Sequence, residues 1–203
     1  EEAAYAEALA AYRAEGASNA DSSMNRKVQG EDAVLKSSAT LYAVENRSSP
    51  LNEPYDLGKI LLNCIGGTTW KYQGDWIEWE IDVPQTGLYR LVIRAKQNYS
   101  SGVAYTKTLT VDGKVPYEEA RNVDFRYSPD WQLVSPETET GEPCLLYLTK
   151  GPHTLRLTNT LGDLGSLLRQ VETSSRVLSD LYRRVRMVVG TTVDTNRDYQ
   201  LED

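Results

Sequence analysis

The sequence predicts a mainly β fold, an antiparallel β-sandwich flanked by a short N-terminal helix and a long C-terminal amphipathic helix. Three observations carry this. In Trp76–Val83, Ile77, Trp79, Ile81 and Val83 alternate with Trp76, Glu78, Glu80 and Asp82, the period of a half-buried strand. Turn chemistry recurs between such runs, at Pro84-Gln85-Thr86-Gly87, Asp112-Gly113 and Gly151-Pro152. From Leu164 onward apolar residues return every seven positions, a spacing that a helix can bury and a strand cannot.

Glu1–Glu15 is Ala-rich, with Tyr5, Ala8, Leu9 and Tyr12 at helical spacing and Gly16 placed to end the helix. Residues 1–16 are therefore expected to be helical, and the small polar run 17–27 a linker. The sandwich is expected over 28–160. After Trp76–Val83, Leu88–Lys96 sets Tyr89, Leu91, Ile93 and Ala95 on one face. Val111-Asp112-Gly113-Lys114 is a two-residue hairpin signal, because a type I′ turn needs positive φ at both central residues. Gln132–Val134, Cys144–Thr149 and His153–Thr158 supply further strands. In 161–190, Leu164, Val171, Leu178 and Val185 form one seam row and Leu167, Leu181 and Val188 a second, interrupted by Ser174. Leu168, Tyr182 and Val189 widen the stripe, and Arg183, Arg184 and Arg186 suit the negative end of the helix dipole. The short helix is the natural partner for this stripe, which would bring the chain ends together as in a domain inserted into a host; the alternative is that the long helix packs on the sandwich itself. Residues 191–203 are expected to be a polar tail.

The 203 residues carry 22 Lys+Arg against 29 Asp+Glu, a net charge of −7 that argues against a nucleic-acid or anionic-membrane surface. No run of 18 apolar residues is available to cross a membrane. One histidine leaves His-based metal clusters and His-assisted nucleophiles hard to assemble. Glu78 and Glu80 share a strand face but cannot bracket a sugar from opposite sides, so they read as an ordinary solvated face. His153 reads as a hydrogen-bonded strand-edge residue, and Gly66-Gly67 as a tight turn. Cys64 and Cys144 each sit in an apolar stretch, and the sequence leaves open whether they pair. The sum points away from an enzyme.

Thirteen Tyr and four Trp stand against one Phe, a bias towards aromatics with a polar tip, which suit surfaces that are apolar on one side and wet on the other. Several fall in irregular stretches beside amides and carboxylates. A sugar offers apolar ring faces and hydroxyls, so its site needs such a mixture. Tyr99 and Tyr105 are the candidate stacking residues, Asn98 and Asp130 the hydroxyl partners, and Tyr72 and Trp131 further wall.

The runs Ile65-Gly66-Gly67, Gly74-Asp75-Trp76-Ile77-Glu78-Trp79, Val83-Pro84, Gly87-Leu88-Tyr89, Val111-Asp112-Gly113-Lys114 and Lys150-Gly151-Pro152-His153-Thr154-Leu155 resemble, in order, carbohydrate-binding modules of families 6 and 35. That resemblance implies a galactose-binding-like jelly roll over about residues 28–160. Asn63-Cys64-Ile65-Gly66-Gly67, Tyr117-Glu118-Glu119, Gly141-Glu142-Pro143 and Arg197-Asp198-Tyr199 look like the module inserted in large extracellular solute-binding lipoproteins of bacterial ABC transporters. This second resemblance implies a glycan or oligosaccharide ligand, a host solute-binding protein and ABC permease as partners, and surface attachment through the parent lipoprotein. The alternative it leaves is a structural domain that packs on host or permease without a ligand. The sugar-binding families hold a structural calcium with an early Glu-x-Glu and a late Asp. Here Gln29-Gly30-Glu31 lacks one carboxylate and the late strand is replaced by the long helix. Glu31 is left as the single calcium candidate, and no cofactor is expected.

Overall fold

The computed structural model describes residues 2–21, 23, 25–102, 104–190 and 199, without the side chains of 163 and 166. It divides into two units, Glu1–Gly162 and Asp163–Asp203. The expected fold class holds: an antiparallel β assembly lies between one short and one long helix in the chain order. A helix α1 (Tyr5–Ala14) precedes β1 (Leu35–Lys36), β2 (Ala43–Val44), β3 (Cys64–Ile65), β4 (Trp76–Val83), β5 (Gly87–Arg90) and β6 (Ile93–Ala95). Then follow β7 (Tyr105–Val111), β8 (Val123–Phe125), β9 (Gln132–Val134), β10 (Leu145–Leu148), β11 (Gly151–Thr160) and α2 (Asp163–Val189).

One sheet runs β1-β4-β11-β7-β8, and the pairs β10-β5, β6-β9 and β2-β3 complete the assembly. β11 is the central strand. It pairs antiparallel with β4 from Gly151↔Val83 to Thr158↔Trp76, and with β7 from Leu155↔Val111 to Thr160↔Thr106. Its inward residues Leu155 and Leu157 meet Ile77 and Leu109 in the core, and its Thr residues lie on the other face, as period two requires. The hairpin after β7 has the expected I′ form: Asp112 and Gly113 sit at φ 50° and 76°, and Val111 and Lys114 exchange backbone hydrogen bonds. Leu88–Lys96, expected as one strand, is broken into β5 and β6. The break lets β5 pair with β10 while β6 pairs with β9.

Two expectations are corrected within the first unit. Residues 17–20 are not a free linker, because Leu88 N–H donates to Ser18 O and Ala20 N–H donates to Leu88 O, extending the β5 edge. The apolar face of α1 is also spoken for. Tyr5 and Ala8 are in the sandwich core, with Leu9 and Tyr12 packed against it. Tyr5 sits edge-on to Tyr117 at 5.1 Å, Tyr12 stacks on Tyr147 at 5.0 Å, and the Tyr5 hydroxyl accepts from Leu145 N–H. A sheet offers α1 a broader apolar floor than a single helix would, so the residues expected to pair with the long helix are spent on the sandwich. Cys64 and Cys144 are both free, the first half-buried and the second buried. The expected tail lies, apart from residue 199, outside the described residues.

α2 spans 27 residues and ends at Gly190, whose φ of 81° is a conformation glycine adopts without strain. Its apolar stripe is exposed: Leu164, Leu167, Val171, Leu178, Leu181 and Val188 each show between 46% and 64% of their surface.

His153 ties the start of β11 to the turns beside it. Its Nδ1 lies 2.6 Å from Asp112 Oδ2 and its Nε2 2.8 Å from the Thr149 carbonyl oxygen. Both partners can only accept, so both ring nitrogens must carry protons. Partial burial lowers the pKa of His153, but the Asp112 and Thr149 hydrogen bonds and the Asp112 charge outweigh it and the net direction is up. Partial burial raises Asp112, and its bonds from the Thr154 amide and His153 reverse that, so its net direction is down. The imidazolium contribution is therefore complete below the unfolded value of about 6.5 and is lost as pH climbs through the higher folded value. The carboxylate contribution is present above about 3.9 and lost as pH falls through the lower folded value. We expect His153→Gln to cost more stability at pH 5.5 than at pH 9 in urea unfolding; equal costs would contradict the imidazolium assignment.

Candidate functional site

The ladder places one set of strand ends together. Trp76 of β4 is level with Thr158, Tyr105 of β7 with Phe125 of β8, and Thr106 with Thr160. The loops entering β4 and β7 and leaving β8 therefore emerge at one end of the large sheet. These loops hold Tyr72, Asn98, Tyr99, Asp130 and Trp131, five of the residues the sequence singles out. Tyr105 is not a loop residue: it opens β7, is half-buried and packs against the core. A bulky aromatic at the first inward position of a core strand is worth more buried than displayed.

Two of these loops are tied directly. β6 and β9 pair through Arg94↔Leu133 and Ala95↔Gln132, and beyond them Ser128 N–H donates to Gln97 O at 2.7 Å. Gln97 is buried and its carboxamide organises its own loop, accepting from Tyr99 N–H at 3.0 Å and donating to Ser100 O at 3.1 Å. Ser128 does the same for the other loop, donating to Asp130 O at 2.8 Å. The result displays Tyr99, 64% exposed, and Tyr127, 44% exposed, with the exposed side chains of Asn98 and Asp130. Tyr72 is also exposed but belongs to the neighbouring loop, where its carbonyl accepts from Asn159 Nδ2 at 3.2 Å.

Trp131 is the anchored member. Its Nε1 donates to Ser48 Oγ at 3.0 Å, and the Arg94 guanidinium lies 5.4 Å from its ring centre. Arg94 in turn donates to Ser49 Oγ at 3.0 Å and to the Leu51 carbonyl. The segment between β2 and β3 is thus a third wall, which sequence reasoning missed. It is held by three asparagines: Asn63 Oδ1 accepts from Asn46 N–H, Asn52 Nδ2 donates to Asn46 Oδ1, and Asn46 Oδ1 also accepts from Ser48 Oγ at 2.6 Å. Asn52 and Asn63 are buried, and a buried amide in an irregular segment must be satisfied by that segment. Their spacing around Pro50 and Pro54 was the available signal. Exposed Leu51 and Leu133 flank Arg94 and give the wall an apolar rim.

Behind the Tyr72 loop sits a buried lysine. Lys107 points inward from β7, with Nζ 3.5 Å from the Trp70 ring centre and 5.5 Å from that of Phe125, and donates to Asn159 Oδ1. Asn159 Nδ2 donates to the carbonyls of Trp70 and Tyr72, so the lysine and the loop share one amide. Burial pushes Lys107 down to about 7, against the opposing pull of Asp75.

A calcium ion of the kind the resembling families hold does not fit the residues around Glu31, the single candidate ligand. Glu31 has one buried carboxylate oxygen without a partner, and burial, then Asp32, raise its pKa. Its titratable neighbour is the Cys64 thiol, itself pushed up by burial and by Glu31. Calcium wants six to eight oxygens, and among the described residues no group of three or more His, Cys, Asp or Glu is gathered. Glu78 is likewise not the simple solvated carboxylate expected of its strand face. It accepts from Arg156 Nε at 2.9 Å, and that guanidinium stacks on Trp76 at 3.9 Å. What the loop end displays is flat apolar faces with one amide, one carboxylate and one guanidinium beside them.

The class so defined is an antiparallel sandwich with an aromatic and polar loop end. No family model and no curated protein matches the sequence. Among solved structures, the chain is similar to a cycloisomaltooligosaccharide glucanotransferase of Paenibacillus sp. complexed with cycloisomaltoheptaose, at 23% identity and TM-score 0.47, over 71% of this chain and 18% of that one. It is also similar to a family 35 carbohydrate-binding module from Clostridium thermocellum, at 20% identity and TM-score 0.44, over 65% of this chain and 83% of the module. A third is the CBM35 from Cellvibrio japonicus Abf62, at 16% identity and TM-score 0.42, over 68% and 80%.

Because the folded pKa of Lys107 lies below the unfolded value of about 10.4, the unfolded chain holds a proton that the native state has shed between those values. Native stability should therefore rise with pH from about 7 to about 10 relative to Lys107→Met, by up to one proton's worth per pH unit. Parallel stability profiles for the two proteins would contradict a neutralised lysine.

Proposed function

We propose that the chain is a non-catalytic glycan-binding accessory domain of an extracellular solute-binding protein that serves an ABC transporter, held at the cell surface through its parent lipoprotein. The observation that carries the glycan reading is the clamped pair of loops at 97–102 and 126–131. They display Tyr99, Tyr127 and the Ser48-anchored Trp131 beside the uncommitted side chains of Asn98 and Asp130. Aromatic faces receive the C–H faces of a pyranose, and the amide and carboxylate take its hydroxyls. Tyr72 extends the same end and Arg94 fixes the Trp131 ring. The transporter setting is supported by the motif resemblance that runs from Asn63-Cys64-Ile65 to Arg197-Asp198-Tyr199.

A second reading, a structural domain that packs on its host or permease without a ligand, is favoured by Leu57 and Ile60. They are 79% and 77% exposed on the segment between β2 and β3. A glycan array followed by calorimetry separates the two. Under the glycan reading, at least one oligosaccharide binds, and Trp131→Ala and Tyr99→Ala each weaken it about tenfold or more, roughly 1.4 kcal/mol. No binding at millimolar oligosaccharide, or binding indifferent to both substitutions, would leave the structural reading standing.

A further inference from the structure

Resting on the glycan reading of the loop end, we infer that Asn46 and Ser48 are positioning residues of that surface. A one-way chain of hydrogen bonds runs from the Trp131 indole through the Ser48 hydroxyl to the Asn46 side chain, and it sets the direction in which the ring faces a ligand. Neither residue needs to touch the glycan to do this.

The direction of the chain follows from what each group can do. One oxygen-bearing end of the Asn46 amide lies 3.0 Å from Ser48 N and 3.0 Å from Asn52 Nδ2. Both of those groups only donate, so the atom that meets them is the amide oxygen and not its nitrogen. The Ser48 hydroxyl, 2.6 Å from the same oxygen, must then donate to it. With its proton committed, that hydroxyl has only lone pairs to offer Trp131. The indole Nε1 can only donate, and it reaches Ser48 Oγ at 3.0 Å. Every link has one permitted direction, so the indole is held by a hydroxyl that is not free to rotate.

The far end of the chain is anchored in buried amides. Asn46 N–H donates to Asn63 Oδ1 at 2.8 Å, and Asn46 O accepts from Asn63 Nδ2 at 3.0 Å. Asn63, next to β3, thus grips the backbone of residue 46 on both of its polar groups, as a paired strand would. From the other side, Arg94 of β6 sets its guanidinium 5.4 Å from the Trp131 ring centre and donates to Ser49 Oγ at 3.0 Å and to the Leu51 carbonyl. One segment therefore fixes the indole twice, by its edge through Ser48 and by one face through Arg94. With that face taken by the guanidinium, stacking on a pyranose falls to the opposite face, and the Ser48 bond decides where that face points.

Four variants of the full chain separate orientation from loop stability. Ser48→Ala, at an exposed position, and Asn46→Ala each remove a link, whereas Ser48→Thr keeps the hydroxyl and Asn46→Asp keeps the accepting oxygen. The first readout is the Trp131 indole N–H resonance and its hydrogen exchange in the free protein, assigned by its loss in Trp131→Phe. The second is the Kd for an oligosaccharide that the glycan array identifies. Both Ala variants should shift the resonance, speed its exchange and weaken binding about two- to tenfold, the worth of one hydrogen bond. Ser48→Thr and Asn46→Asp should restore both readouts. In the Trp131→Phe background, Ser48→Ala should change affinity no further. An indole resonance unmoved by Ser48→Ala, Asn46→Asp as damaging as Asn46→Ala, or an undiminished Ser48→Ala effect beside Trp131→Phe would each overturn the proposal while leaving the glycan reading intact. An indole that moves as expected in a chain that binds no oligosaccharide would instead overturn the glycan reading, and the positioning role with it.

Discussion

The constraint on which the first unit depends is the pairing of β11 with two neighbours at once. This ten-residue strand is paired on one edge over Gly151–Thr158 and on the other over Leu155–Thr160, so its register dictates that of β4 and β7. Because side chains alternate, that register sends Leu155 and Leu157 inward and fixes which ends of β4, β7 and β8 lie level. The loops meet at one end for this reason, and no loop residue had to encode it. Slipping β11 by one residue would turn its leucines to solvent and scatter the loops together.

The tyrosine bias acquires a physical meaning in this frame. Much of it is core chemistry at places where the apolar interior runs into unsatisfied polar groups. Tyr5 and Tyr12 dock α1 on the sandwich, and the Tyr5 hydroxyl accepts from a β10 amide that lies at the seam. Tyr89 donates to Gln85 O at the β4–β5 turn. Phenylalanine at Tyr5 would fill the same place but leave the Leu145 N–H without its partner, at a cost of about 1–3 kcal/mol for a buried group left unpaired. Tyr117 is the exception, a fully buried ring whose hydroxyl has no partner. Among the described residues, Tyr72, Tyr99 and Tyr127 face water at the loop end.

Legibility followed the range of the interaction. β4, β11, the Asp112-Gly113 hairpin and α2 were readable because period, turn chemistry and heptad spacing are local in the chain. The loop positions of Asn98, Tyr99, Asp130 and Trp131 were readable for the same reason. What was not readable depends on partners far away in sequence. Trp131 is fixed by Ser48, Arg94 reaches Leu51, and Lys107 finds its aromatic cage in Trp70 and Phe125. α1 looked like one half of a helix pair because its spacing suits either a helix or a sheet as partner. The inward lysine is the sharpest local conflict: β7 places a charge where period two demands an apolar residue, and only the shared Asn159 amide and two aromatic faces make it tolerable.

The account rests on the loop end as a glycan surface whose residues are set by strands beneath them. Chemical-shift mapping during titration with the best-binding oligosaccharide tests that most directly. The account predicts that the perturbed amides fall in 97–102 and 126–131 and that the indole N–H of Trp131 shifts with them, while α2 and the turn at Asp112-Gly113 stay still. Shifts confined to α2 or to the outer face around Trp76 and Arg156 would contradict it.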